Sequence, residues 1–122
     1  MHSEQPVLYS ADLGNCATLH EFDAASITSF FAAALRDAGA TIVQEVCHAF
    51  PGAGLTCVLV LTESHAVLHT WPETGAVNID IFSCTTRLKS LAAIEELRQL
   101  FGARDVSVQE ISRAHGHSPD IP

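Results

Sequence analysis

Leu55-Thr56-Cys57-Val58-Leu59-Val60-Leu61 is the most apolar run in the chain. Ala66-Val67-Leu68-His69-Thr70-Trp71 follows it closely, and Val77-Asn78-Ile79-Asp80-Ile81-Phe82-Ser83-Cys84 comes next. All three runs are rich in β-branched and apolar residues. The first reads as a buried strand. The third alternates Val77, Ile79 and Ile81 with Asn78, Asp80 and Phe82, which suits a strand with one face inward. The connections, Thr62 to His65 and Pro72 to Ala76, are too short for the crossover that parallel strands need. The stretch therefore reads as an antiparallel meander.

Working outward, Thr41 to Phe50 is also β-like and leads through Pro51-Gly52-Ala53-Gly54, a turn signal, into the first run. Ala24 to Ala38 reads as a helix, with Ile27, Phe30, Phe31, Ala34 and Leu35 recurring at three and four residues. Asp23 suits its N-cap and Gly39 its C-terminal stop. Ser90 to Phe101 is a second helix, with Leu91, Ile94, Leu97 and Leu100 or Phe101 on one face and Gly102 after it. Residues 7–13 give a first strand and Arg104 to Ile111 a last one. The order β-α-β-β-β-β-α-β predicts an α+β two-layer sandwich, a mostly antiparallel sheet covered by two helices. His115 to Pro122 reads as a tail.

The 122 residues suit one domain, 1–122. With 48% hydrophobic and 16% charged residues, the chain is expected to be globular. Fourteen acidic residues against six Lys and Arg give a net charge of −8. That argues against a nucleic-acid partner, because phosphate binding needs a basic surface. No apolar run is long enough to cross a membrane, and Met1-His2-Ser3-Glu4 lacks the features of a signal peptide. The expected location is cytoplasmic. Of the four cysteines, Cys16, Cys47, Cys57 and Cys84, none forms a C-x-x-C pair, and a disulfide framework is not expected.

Reactive side chains are densest at Glu63-Ser64-His65 and at His69-Thr70-Trp71-Pro72-Glu73. In a strand, His65, Val67 and His69 share one face. A metal site using His65, His69 and a cysteine is one reading, weakened because the segment is β-prone rather than helical. A serine hydrolase is disfavoured, since Ser64 sits in no G-x-S-x-G elbow. Composition and spacing alone favour the plainest reading, with Ser64 in a β-turn and His69 a hydrogen-bonded core histidine.

Taken in order, Glu63-Ser64-His65, His69-Thr70-Trp71-Pro72-Glu73 and Asp80-Ile81-Phe82-Ser83-Cys84 resemble the signature of the prokaryotic S-adenosylmethionine decarboxylases. Ala38-Gly39-Ala40-Thr41-Ile42 and His48-Ala49-Phe50 are similar to upstream segments of that family. The resemblance runs from about Tyr9 to Glu110. It implies a proenzyme that cuts itself between Glu63 and Ser64, giving residues 1–63 (the β chain) and 64–122 (the α chain). The Ser64 hydroxyl attacks the Glu63 carbonyl, an ester replaces the amide, and β-elimination leaves a dehydroalanine. Hydrolysis of that residue with loss of ammonia leaves a pyruvoyl group as cofactor. Such a carbonyl forms a Schiff base with the substrate amine and takes up electrons as carbon dioxide leaves.

The same resemblance implies that Ser64, His69 and Cys84 are catalytic, with Cys84 returning a proton to the substrate carbon. Glu63, Ser64, Thr56 and His69 would serve processing. Phe50, Trp71 and Glu73 would bind substrate, the Phe50 ring facing a sulfonium at about 0.5–2 kcal/mol and Glu73 accepting from ribose hydroxyls. It implies S-adenosylmethionine as substrate, spermidine synthesis as the purpose, a homodimer of αβ units with active sites near the subunit interface, and no metal. Thr56-Cys57 stands where the family usually has Ser-Gly, and Thr85 where it usually has Gly. A pyruvoyl decarboxylase of ornithine or arginine would keep Ser64, His69 and Cys84 but change the pocket. Phe50 and Glu73 favour the S-adenosyl substrate over these. An unprocessed, non-catalytic homologue is the other alternative.

Overall fold

The computed structural model describes residues 5–52 and 54–114. It contains strands β1 (Val7–Cys16), β2 (Ile42–Ala49), β3 (Leu55–Leu61), β4 (Ser64–Trp71), β5 (Ala76–Ser83) and β6 (Ala103–Ser112). Helix α1 (Ala24–Asp37) follows β1 after a short 3-10 turn at Leu19–Glu21, and α2 (Ser90–Phe101) precedes β6. The strands form one sheet in the order β2-β3-β4-β5-β1-β6, every neighbouring pair antiparallel. The expected α+β two-layer architecture is the one observed. The expected tail, His115 to Pro122, lies outside the described residues.

Alternation decides which face is covered. Leu55, Cys57, Leu59 and Leu61 of β3 point to the helices with Ala66 and Leu68 of β4 and Val77, Ile79 and Ile81 of β5, all buried. Phe31 and Leu35 of α1 and Leu97 and Phe101 of α2 close over them with no exposed surface. Each such side chain contributes about 1.5–3 kcal/mol by leaving water. The opposite face carries Thr56, Val58, Val60, His65, Val67, His69, Trp71, Asn78, Asp80 and Phe82, and no element covers it among the described residues. On the two edge strands Val43 and Val46 of β2 and Val106 and Val108 of β6 remain exposed, Val46 because it lies opposite Val58 on the uncovered face.

Asp23 caps α1 by accepting a hydrogen bond from the Ser26 N–H at 2.8 Å. That bond holds its carboxyl below the usual aspartate range. The cap is therefore complete above that range and is lost only as pH falls through the lowered value. The largest departures from the sequence reading are at two strand ends. β4 begins at Ser64 rather than Ala66, because Leu61 and Ser64 pair directly and leave only Thr62 and Glu63 as the turn. β1 runs on to Cys16 because β6 continues beside it, Cys16 opposite Ala103.

Gly54, just before β3, lies against β4. A Cβ there would sit 1.8 Å from the Thr70 carbonyl oxygen, and the adjacent Leu55 N–H donates to the Thr70 hydroxyl at 3.0 Å. Gly54→Ala is expected to cost about 2–3 kcal/mol by overpacking. Urea denaturation should show a lower midpoint with an unchanged m-value.

Candidate active site

The β3–β4 turn presents one peptide bond in an unusual way. Glu63 is exposed and has φ +59°, the left-handed region. A side chain there costs roughly 1–2 kcal/mol. The Thr62 N–H donates to the Thr41 carbonyl at 3.1 Å and ties the turn to the start of β2. Ser64 follows, half-buried, and its Oγ accepts from the Cys84 N–H at 3.3 Å. Glu63, Ser64 and Cys84 line one cavity of about 420 Å³, with Thr41, Arg87 and Leu88 among its walls.

Cys84 stands just past the end of β5, in the loop to α2. That loop is braced by its own polar groups. Ser83 Oγ donates to the Thr85 carbonyl at 2.8 Å, and the Arg87 N–H donates to Thr85 Oγ1 at 3.1 Å. The Lys89 N–H donates to the Ala38 carbonyl at 2.8 Å and ties the loop to the end of α1. Gly39 permits this approach: its φ is +103°, and a Cβ would lie 2.9 Å from the Arg87 carbonyl oxygen.

A second cluster occupies the uncovered face. Thr56 and His69 are opposite one another on β3 and β4, with Thr56 Oγ1 2.6 Å from His69 Nδ1. If the hydroxyl donates, the ring proton sits on Nε2; if it accepts, the proton sits on Nδ1. The His69 ring packs against Trp71, centroids 4.4 Å apart. Trp71 Nε1 donates to Asn78 Oδ1 at 2.6 Å, and Asn78 Nδ2 donates to Asp12 Oδ1 at 2.7 Å. Phe50 packs edge-on against His48 at 4.6 Å and is 43% exposed, as is Trp71. Glu73 lies exposed in the turn closed by bonds from the Thr74 and Gly75 N–H groups to the Trp71 carbonyl.

The structure thus brings Glu63, Ser64 and Cys84 together, and separately Thr56, His69 and Trp71. It does not bring the two sets together within one chain. Ser64 and His69 are five residues apart on β4, roughly 16 Å along the strand, and an odd separation puts them on opposite faces. His65 and His69 share a face but lie about 13 Å apart, too far to share an ion. No group of three or more potential metal-binding side chains occurs among the described residues.

Sequence reading missed Asp12 and Asn78, which hold the Trp71 indole, and the Ser10–Asp80 pair at 2.9 Å beside them. Their signal was present, as polar side chains at every second position of an otherwise apolar strand. It also missed the pairing of Cys47 and Cys57, directly opposite on β2 and β3 with Cα atoms 4.1 Å apart and joined as a disulfide. Cys16 is buried, and burial pushes its thiol pKa up.

Comparison with known proteins agrees with this architecture. Residues 8–114 match a protein-family model described as S-adenosylmethionine decarboxylase. The S-adenosylmethionine decarboxylase proenzyme of Acidithiobacillus ferrooxidans is 33% identical over 114 residues, covering 92% of this chain and 84% of that protein. The proenzyme of Moorella thermoacetica is 39% identical over 92 residues, 75% of this chain and 73% of that one. Among solved structures, the adenosylmethionine decarboxylase of Aquifex aeolicus VF5 superposes with a TM-score of 0.78 at 22% identity, over 95% of this chain and 98% of the other, and so shares the fold. With a family match spanning nearly the whole chain and relatives at 33% and 39% identity, the protein belongs to the S-adenosylmethionine decarboxylase family.

Proposed function

We propose that the chain cuts itself between Glu63 and Ser64 and then decarboxylates S-adenosylmethionine by means of a pyruvoyl group derived from Ser64. The observation that carries this reading is the placement of the Glu63–Ser64 bond. It lies in an exposed two-residue turn, at a left-handed residue, with Ser64 Oγ and Cys84 on one cavity of about 420 Å³. The serine hydroxyl is within its own residue's reach of the preceding carbonyl, and Thr62 and Glu63 of the turn are exposed. A ketone carbonyl left at residue 64 would supply an electron sink for loss of carbon dioxide.

The remaining roles fall to the chain's own side chains. Cys84, beside Ser64, is placed to deliver a proton to the substrate carbon. Thr56 and His69 form a proton-handling pair whose ring nitrogen switches role with the hydroxyl. Phe50, Trp71 and Glu73 gather near the same end of the sheet, two exposed aromatic rings and one carboxylate suited to a sulfonium and to ribose hydroxyls.

His69 is separated from Ser64 by roughly 16 Å and by the thickness of the sheet, which gives the uncovered face a purpose. We read it as the interface of a homodimer. Two sheets packed face to face lie about 10 Å apart. A two-fold axis running β4 of one copy against β4 of the other sets the Ser64 end of each above the His69 end of its partner. Ser64 shares the helix side of β4 with Ala66 and Leu68, so residue 64 would have to turn toward the interface for each active site to take Ser64 and Cys84 from one copy and Thr56 and His69 from the other. The net charge of −8 favours the cationic substrate and disfavours nucleic acid. No helix among the described residues is long and apolar enough to cross a membrane, and a cytoplasmic location fits a polyamine pathway.

The test is intact mass under denaturing conditions, followed by release of labelled carbon dioxide. Two fragments, 1–63 and a blocked 64–122, with carbon dioxide from carboxyl-labelled S-adenosylmethionine but not from ornithine or arginine, are the expected result. A chain that stays whole on long incubation would sink the proposal. Cys84→Ala is expected to give normal fragments but decarboxylation slower by about 10²-fold or more, the usual worth of a positioned proton donor. Equal loss of cleavage and turnover would instead give Cys84 a structural part.

A further inference from the structure

We infer that a second cavity, at the N-terminus of α2, binds a small molecule that carries an oxyanion on an apolar body. The cavity is about 540 Å³ and lies on the helix side of the sheet, where Val7, Tyr9, Leu88 and Leu91 form its apolar wall. None of its lining residues is acidic. Tyr9 is the member with an acidic neighbour, its hydroxyl interacting with Glu110 of β6.

Three kinds of donor meet at its polar end. Ser90 lines it at 3% exposure, and the Ser90 hydroxyl is buried without a hydrogen-bond partner among the described residues. Buried hydroxyls are almost always satisfied, so one left open beside a cavity marks the place of a missing acceptor. The first turn of α2 is also uncapped. Where Asp23 caps α1, the residue at the α2 N-cap is Lys89, which gives no side-chain bond to the helix. The Ala92 and Ala93 N–H groups both donate to the Lys89 carbonyl, while those of Ser90 and Leu91 have no acceptor among the described residues. The third donor is the exposed Lys89 ammonium, which donates to the Thr86 carbonyl at 3.2 Å and lies on the same cavity.

Two helix N–H groups, a hydroxyl and an ammonium at the positive end of a helix are what an oxyanion requires. The apolar wall is what a bare inorganic ion would leave uncovered. The donor number suits a terminal phosphoryl group, with three oxygens, better than a carboxylate. The cavity is distinct from the Ser64 cavity, yet the two share Thr85 and Leu88, so the loop carrying Cys84 is a wall of both. Occupancy would therefore brace that loop.

The experiment is a titration of the full protein as purified, read from the backbone amide signals of Ser90 and Leu91. The probes are phenyl phosphate, benzoate, inorganic phosphate and phenol. Phenyl phosphate is expected to saturate and to bind about tenfold tighter than inorganic phosphate. Ser90→Ala, a change an α-helix tolerates, is expected to weaken it by about tenfold. Saturation by benzoate in place of phenyl phosphate would keep the proposal and assign the oxyanion as a carboxylate. Phenol binding as well as the anions, an unchanged affinity in Ser90→Ala, or no saturable shift with any probe would overturn it.

Discussion

Ser64→Ala is expected to leave one uncut chain of 122 residues and to abolish decarboxylation, with no measurable loss of fold. The substitution removes the one oxygen that can both attack the Glu63 carbonyl and leave by elimination. Nothing else in the cavity does both. The Cys84 sulfur belongs to another strand end and cannot become the leaving group of residue 64. The fold should survive because Ser64 is only half-buried and its Oγ accepts a single long bond, at 3.3 Å, from the Cys84 N–H. Mass spectrometry reads the cleavage, and thermal unfolding reads the fold. A Ser64→Ala chain that still splits at this bond would end the self-processing reading.

The second large effect concerns a mixture. His69→Ala alone is expected to cut slowly or not at all, and Ser64→Ala alone is dead. Co-expressed, the two should recover about one quarter of wild-type sites. Random pairing makes half of the dimers mixed, and each mixed dimer holds one complete site and one empty one. Recovery follows only if His69 serves the Ser64 of another copy, as we propose from the roughly 16 Å separation in one chain. The two chains differ in mass, so the fragments also report which copy was cut. A mixture no more active than its two components would place the site within one chain and remove the face-to-face dimer from the mechanism.

Much of this was legible from residue order. The meander β3-β4-β5 follows from apolar runs joined by connections too short to cross over, and both helices follow from three-and-four spacing with Asp23, Gly39 and Gly102 as punctuation. The place of β1 was not legible. It lies between β5 and β6, a pairing between residues that are far apart in sequence and that no local pattern encodes. Its side-chain pattern also breaks near Gly14 and Asn15, which hid its full length. The cysteine pair was hidden because Cys47 and Cys57 face each other only once the register of β2 on β3 is known. The split of the site was within reach of sequence, since Ser64 and His69 are an odd number apart on one strand. A motif read as a list of residues sets that parity aside.

The proposed cleavage before residue 64 would divide the sheet in an interleaved way. Residues 1–63 would keep β1, β2, β3 and α1, and residues 64–122 would keep β4, β5, β6 and α2. Across the sheet, ownership runs first piece, first piece, second, second, first, second. Strand β1 of the first piece is therefore clasped between β5 and β6 of the second, while β3 zips to β4 at another seam. The two pieces would be interlocked like fingers, unable to part without tearing three seams of backbone hydrogen bonds. Such a break would change the chemistry of one residue while the body around it stays whole. It would also set a sequence of events, with the sheet woven before it is cut.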